Sequence, residues 1–112
     1  MDGNDKTIED WRRRIDAIDR NLVELLNERA SCAMAIGELK RVLGTPVYQP
    51  EREQEILANV ERMNGGPLED TAIRRLFERV IDEARSLERA TVRKQAAPES
   101  GGTQPRDTKP GR

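Results

Sequence analysis

The chain has 112 residues, a length typical of one domain. Its 20 basic and 21 acidic residues leave a net charge of −1, which argues against a general nucleic-acid binder, because such a protein needs a surplus of basic residues. Histidine is absent and Cys32 is the single cysteine, which excludes histidine-based triads, histidine metal sites and intrachain disulfides.

Residues 7–43 carry the pattern of one long helix. Thr7 and Asp10 have the spacing of a capping box, and Gly44 is a stop signal. Cys32 takes the place of a larger apolar residue in the heptad pattern, so we expect it to be a small core residue. The apolar positions of this heptad pattern are Ile8, Trp11, Ile15, Ile18, Leu22, Leu25, Cys32, Ile36, Leu39 and Leu43.

Two shorter helices are predicted after the first. One begins at Pro50, which suits the first turn of a helix, and ends before the breakers at 64–67. The other covers residues 69–93. The apolar face of the second helix comprises Ile56, Leu57, Val60 and Met63, and that of the third comprises Ile73, Leu76, Phe77, Val80, Ile81, Ala84 and Leu87. No strand pattern competes, so the fold class is predicted to be all-α.

The domain is expected to cover residues 7–94. Residues 1–6 form a short extension, and residues 95–112 are rich in Pro and Gly and are predicted to be a disordered tail. The N-terminus lacks the apolar stretch of a signal peptide, and no run of about 18 apolar residues exists that could span a membrane. A cytoplasmic protein is the default expectation.

The length of the first helix favours a dimer. About 36 residues make a rod of roughly 54 Å, whereas a compact globule of this size is about 35 Å across. The apolar stripe continues to both ends of the rod. A second copy is the simplest cover for the overhang, so we expect a homodimer built along this helix.

Two cations interrupt or border the apolar stripe. Arg29 occupies a stripe position, where it must snorkel, meet an anionic ligand or pair with an acid such as Glu24 or Glu28. Lys40 lies three turns later on nearly the same face, about 16 Å along the axis, so the two could bind one small anion between them. Arg12 is roughly 25 Å before Arg29, so it could reach such a site only from the partner chain of an antiparallel dimer. Otherwise Arg12 is a solvated charge.

Charged residues of the other helices are ambiguous. Arg52 and Glu53 lie in the first turn of the second helix, where acids also stabilise the helix dipole. Glu88 lies three residues after Arg85, and this spacing favours an exposed ion pair between them. Gly37 lowers helix propensity and suggests a close helix contact.

Several segments together resemble the all-helical (AroQ-class) chorismate mutases, from about residue 8 to residue 92. That family folds as an intertwined dimer of three-helix protomers. Its members rearrange chorismate to prephenate by a Claisen reaction, on the way to phenylalanine and tyrosine, without metal or organic cofactor. The matching segments are Trp11–Asp19, Leu25–Arg29, Ile36–Lys40, Pro46–Glu53 and Ile73–Phe77.

The resemblance implies roles for the three cations of the first helix. Arg29 would clamp one substrate carboxylate, and Arg12 of the partner subunit would hold the other. Lys40 would bond the ether oxygen and a carboxylate. Such clamps select the folded conformer of the substrate, which is catalysis by proximity and orientation.

The resemblance also assigns residues to the rest of the site. Glu53 would accept a hydrogen bond from the ring hydroxyl, with Arg52 as electrostatic support. Gln49 stands where many relatives have Asp and is a poorer helix cap, while Ala84 stands where some have Ser and offers only its backbone. Glu88 would donate to the ether oxygen, where bacterial relatives often carry Gln. Because an ionised carboxylate would repel the developing negative charge, the expected rate improves toward acid pH.

Three alternatives remain open at this stage. An isochorismate-pyruvate lyase of the same fold binds nearly the same dianion. A helical dimerisation module without activity would use Arg29, Lys40 and Glu53 as structural ion-pair members. A mutase that depends on a partner enzyme of the shikimate pathway is the third.

Overall fold

The computed structural model describes residues 6–96, which form three helices and no strand. They are α1, Ile8–Leu43; α2, Pro50–Met63; and α3, Asp70–Ala96. The predicted all-α class is confirmed, and each predicted helix is present. The predicted tail lies outside the described residues from residue 97 onward, as does the extension at residues 1–5. Within the described range, none of the helices has a stretch long and apolar enough to cross a membrane.

The chain divides into two units, and the first, residues 1–32, contains the N-terminal part of α1. Its predicted capping box is present: the Thr7 N–H donates to Oδ2 of Asp10 at 3.0 Å, and the Asp10 N–H donates to Oγ1 of Thr7 at 3.1 Å. The hydrogen bond from the Thr7 backbone holds the pKa of Asp10 below its usual value. Cys32 is exposed, so its predicted place in the core is wrong within this unit.

An apolar stripe runs along the first unit and lies open to solvent. Its side chains project at heptad spacing from one face of α1, and each is 41% to 61% exposed. So many large apolar side chains in one row are unusual on a monomer surface and are typical of an interaction surface. The stripe comprises Trp11, Ile15, Ile18, Leu22 and Leu25.

The second unit, residues 33–112, contains the end of α1 together with α2 and α3. Its buried apolar residues come from all three helices: Ala33, Leu57, Val60 and Ile81. The predicted place of Met63 on the buried face of α2 is wrong, because Met63 is the last residue of the helix and is 71% exposed. Besides these buried side chains, ion pairs join the helices of this unit.

The turn after α1 fixes the position of Lys40. Gly44 has a φ of +73°, a conformation that glycine adopts without strain. The Thr45 N–H then donates to the carbonyl oxygen of Lys40 at 3.0 Å, the hydrogen bond of a Schellman motif. The chain therefore turns back at once toward α2, with Lys40 in the last turn of α1.

Candidate active site

Lys40 and Glu88 form an ion pair between α1 and α3 in the second unit. Nζ of Lys40 lies 3.0 Å from Oε1 of Glu88 and donates another 3.0 Å hydrogen bond to the carbonyl oxygen of Val47. Both charged side chains are only 13% exposed, so solvent and salt screen this pair less than a surface ion pair. An ammonium has three N–H donors. Among residues 6–96, these two acceptors take two of them, so one donor is left for a ligand.

Gly37 lets α1 and α3 approach each other beside this pair. A Cβ atom at position 37 would lie 3.1 Å from the carbonyl oxygen of Glu88 and 3.2 Å from its Cα. Gly37 is itself buried and lies three residues before Lys40, on the same face of α1. The predicted close helix contact at Gly37 is confirmed. It sets the distance across which Lys40 meets Glu88.

Glu53 and Arg85 form a second ion pair, between α2 and α3. Nε and Nη2 of Arg85 donate to Oε2 and Oε1 of Glu53 at 2.9 and 3.0 Å, which is the bidentate geometry of strong guanidinium–carboxylate pairs. Oδ1 of Asp82 accepts a longer bond of 3.3 Å from the same guanidinium, which also stacks over the ring of Tyr48 at 5.4 Å from its centroid. Hydrogen bonding to Glu53 raises the pKa of Arg85. The guanidinium therefore stays charged at any working pH.

The two ion pairs belong to one region of the second unit. Arg85 and Glu88 are three residues apart on α3, so they project from one side of the helix about 4.5 Å apart along its axis. Val47 and Tyr48, from the segment before α2, each contact one pair. The region thus gathers a cation with a spare donor and two carboxylates that can accept or, when protonated, donate hydrogen bonds.

A groove of about 300 Å³ lies between α2 and α3 next to this region. Three carboxylates line it, those of Glu53, Glu78 and Asp82, whereas neither Lys40 nor Glu88 does. A groove of that charge repels an anion, so it is not suited to hold the carboxylate groups of an anionic ligand. The Lys40–Glu88 pair is the better candidate for the chemistry.

Three further predicted residues lie near the start of α2 or on α3. Gln49 is the N-cap of α2 and makes no capping hydrogen bond with its side chain, as expected of a poorer cap. Arg52 pairs with Glu55 at 2.8 Å on the exposed side of the same helix. Ala84 is half-buried on α3, one residue before Arg85.

Two of the predicted clamps belong to the first unit. Arg12 is exposed, and its guanidinium lies 3.9 Å from Glu9. Arg29 is half-buried, and within residues 6–32 it forms no salt bridge with Glu24 or Glu28. The simplest structural role for Arg29, a local ion pair, is therefore not found in this unit.

Comparison with known proteins decides the family. Residues 11–89 match a family profile described as chorismate mutase type II, which covers well over half of the chain. The chain belongs to this family. A chorismate mutase from Thermus thermophilus has a similar structure, with a TM-score of 0.73 at 37% identity, over 75% of this chain and 96% of that one.

Relatives of this chorismate mutase family member include larger proteins. A bifunctional chorismate mutase/prephenate dehydratase from Neisseria gonorrhoeae is 45% identical over 94 residues, which are 83% of this chain and 25% of that protein. The chain thus spans about a quarter of the length of the curated relatives it matches first. A 4-amino-4-deoxychorismate mutase from Streptomyces pristinaespiralis is 33% identical over 88 residues, 78% of this chain and 68% of that protein.

The partner that helix spacing predicts for Glu88 in this family member is wrong. The spacing on α3 predicts an exposed pair of Glu88 with Arg85, but the partner of Glu88 is Lys40, and Arg85 pairs with Glu53. Spacing along one helix identifies only local partners, whereas the packing of three helices supplies better ones. Sequence reasoning misses the role of Arg85 for the same reason. Its signal in the sequence, an aspartate three residues earlier, points only to Asp82.

Proposed function

We propose that this chain catalyses the Claisen rearrangement of chorismate to prephenate, in the biosynthesis of phenylalanine and tyrosine. The observation that carries the proposal is the Lys40–Glu88 pair in a chain of the chorismate mutase family. The pair is largely enclosed, and Nζ of Lys40 keeps one N–H for a ligand. The reaction is unimolecular, so it requires binding, conformer selection and charge stabilisation and no nucleophile.

Lys40 and Glu88 act on the ether oxygen of the substrate. Negative charge develops there as the C–O bond breaks, and the spare N–H of Lys40 stabilises it. Glu88 contributes a second hydrogen bond when it is protonated. In its ionised form it repels that charge and holds Lys40 instead, as in the 3.0 Å contact. Activity is therefore expected to increase as the pH falls.

The remaining residues hold the substrate in the folded conformer. Arg29 and Arg12 of the partner subunit are proposed to bind its two carboxylates, since a forked guanidinium suits a carboxylate. Glu53 accepts a hydrogen bond from the ring hydroxyl, and Arg52 adds positive potential. Gln49 and Ala84 line the site, and Lys40 contributes to one carboxylate as well as to the ether oxygen.

A second copy of the chain is proposed to cover the apolar stripe of the first unit. Arg12 lies on that unit and completes the site only if it comes from the partner. The protein should sediment at twice its chain mass of 12.7 kDa. A lysine in the stripe, as in Ile18→Lys, should dissociate the dimer, while Val23→Lys off the stripe is the matched control. A monomeric natural chain with full activity would contradict this arrangement.

Product analysis tests the reaction itself. The full chain is incubated with chorismate and, separately, with isochorismate, and the products are identified by chromatography. The proposal predicts prephenate from chorismate and no release of pyruvate from isochorismate. Pyruvate release would favour the lyase, and a folded dimer inert toward both substrates would favour a structural module or dependence on a partner enzyme.

A further inference from the structure

The ion pair of Arg85 with Glu53 bears on which substituent the site accepts on the substrate ring. Both oxygens of Glu53 accept from Arg85, at 2.9 and 3.0 Å, and the two side chains are only 20% and 24% exposed. A carboxylate has about four lone-pair sites. Glu53 therefore still has room to accept a hydrogen bond from a ligand, but its negative charge is largely compensated.

Charge compensation changes what Glu53 prefers to bind. A hydroxyl group donates a hydrogen bond without bringing a charge, so it does not suffer from the neighbouring guanidinium. An ammonium group would gain from the carboxylate, but Arg85, which binds the same carboxylate at 2.9 and 3.0 Å, would repel it. Asp82 offsets this repulsion only weakly, because its single bond to Arg85 is longer, at 3.3 Å, and its carboxylate is more exposed.

The surroundings of Arg85 hold its charge at this place. The guanidinium stacks on Tyr48 while it bonds Glu53, so two elements fix its orientation. Arg85 also lies one helical turn before Glu88 on α3, beside the proposed reaction centre. The guanidinium of Arg85 is therefore close enough to the proposed reaction centre for its positive charge to act on a substituent of a bound ring.

We infer that Arg85 is a specificity-determining positioning residue, which orients Glu53 and makes the site favour a ring hydroxyl over a ring ammonium. The inference rests on the proposed function, since it takes Glu53 to meet the ring substituent. The relative from Streptomyces pristinaespiralis, named for 4-amino-4-deoxychorismate, indicates the relevant competitor. That compound carries an amino group in place of the ring hydroxyl of chorismate.

Competitive inhibition tests the inference with the dimeric full chain. Chorismate turnover is measured at neutral pH with 4-amino-4-deoxychorismate as the added ligand, which gives a KM for chorismate and a Ki for the amino compound. Removing the positive charge, as in Arg85→Gln, should lower Ki relative to KM by about tenfold. Arg85→Lys keeps the charge and should leave the ratio of Ki to KM near that of the natural chain.

Two further variants separate charge from structure. Arg74→Gln removes another ion pair between α2 and α3, that of Arg74 with Glu61 at 3.1 Å, and should leave the ratio unchanged. Arg85→Met, a second uncharged variant that keeps the aliphatic length of the side chain, should lower Ki relative to KM in the same way, so the inference can be tested even if Arg85→Gln does not fold.

The outcomes distinguish the inference from the function on which it rests. A natural chain without chorismate turnover overturns both. A natural chain that turns over chorismate, with a ratio of Ki to KM that neither Arg85→Gln nor Arg85→Met lowers, overturns the inference alone. An equal loss of affinity for both compounds in Arg85→Gln, with the ratio unchanged, shows a merely structural role and also overturns it.

Discussion

The substitution Gly37→Ala tests the contact on which the proposed site depends. One added methyl group would lie 3.1 Å from the Glu88 carbonyl oxygen, 3.2 Å from the Glu88 Cα and 3.3 Å from the Thr91 Cβ. Ordinary contacts begin at 3.4 Å, so α3 must retreat by a few tenths of an ångström. Two of the three neighbours are backbone atoms, which cannot move aside without moving the helix.

Two opposing effects set the change in stability. Alanine in place of glycine inside a helix stabilises it by about 1 kcal/mol. Overpacking of a close contact costs about 1–3 kcal/mol. The free energy of unfolding should therefore fall by about 0–2 kcal/mol. Activity should fall further than this suggests, because the shift displaces Glu88 from Lys40, and small misplacements of reacting groups reduce kcat by about tenfold or more.

The assay compares kcat for chorismate with the urea midpoint of the same preparation. Gly65→Ala is the matched control, since a Cβ there would meet no atom within 4 Å. We expect Gly65→Ala to keep both activity and stability. If the free energy of unfolding of Gly37→Ala instead rises by about 1 kcal/mol and its kcat is unchanged, only helix propensity is acting, and the close approach of α1 to α3 is refuted.

Further predictions concern charge. In Glu88→Gln, whose amide donates at any pH, kcat should lack the increase from pH 8 to pH 5 that is predicted for the natural chain; parallel profiles of the two proteins would argue against Glu88 as the donor. Arg29→Leu should preserve the urea midpoint but reduce kcat/KM by about 100-fold or more, since a carboxylate clamp is lost; unchanged kinetics would place Arg29 outside the site. In Thr7→Ala the pKa of Asp10 should rise only part of the way toward its usual value, measured by NMR titration, because the hydrogen bond from the Thr7 side chain is lost while the backbone N–H of residue 7 still donates to the carboxylate. Since the pKa of Asp10 is lowered in the folded chain, its stabilisation of the first turn of α1 should be present at neutral pH and fade as the pH falls through that pKa.

Local features of the fold could be predicted from the sequence. The capping box at Thr7 begins α1, Gly44 ends it, and α2 begins at Pro50 as expected. Each of these signals acts within a few residues, through a hydrogen bond or a backbone conformation that the residue type itself favours. The third helix, predicted to end near residue 93, continues to Ala96 because no breaker precedes Pro98.

Partners across helices could not be predicted in the same way. Glu88 meets Lys40 across 48 positions of sequence, and Arg85 meets Glu53 across 32. Heptad spacing places residues on a face but does not say which face meets which, so the pattern favours the local partner for Glu88. The family resemblance points to Lys40, Glu53 and Glu88 as site candidates but not to Arg85. Their roles in catalysis stay predictions.

The most direct test of the account is the loss of chorismate absorbance, followed from pH 5 to pH 8, with the natural chain, Lys40→Ala and Arg41→Ala. Arg41 is the neighbouring cation, in a more exposed pair with Glu38, so it is the matched control. The account predicts prephenate formation that strengthens toward acid pH, survives in Arg41→Ala and falls by about 100-fold or more in Lys40→Ala. A folded Lys40→Ala dimer that turns over chorismate as fast as the natural chain would contradict it.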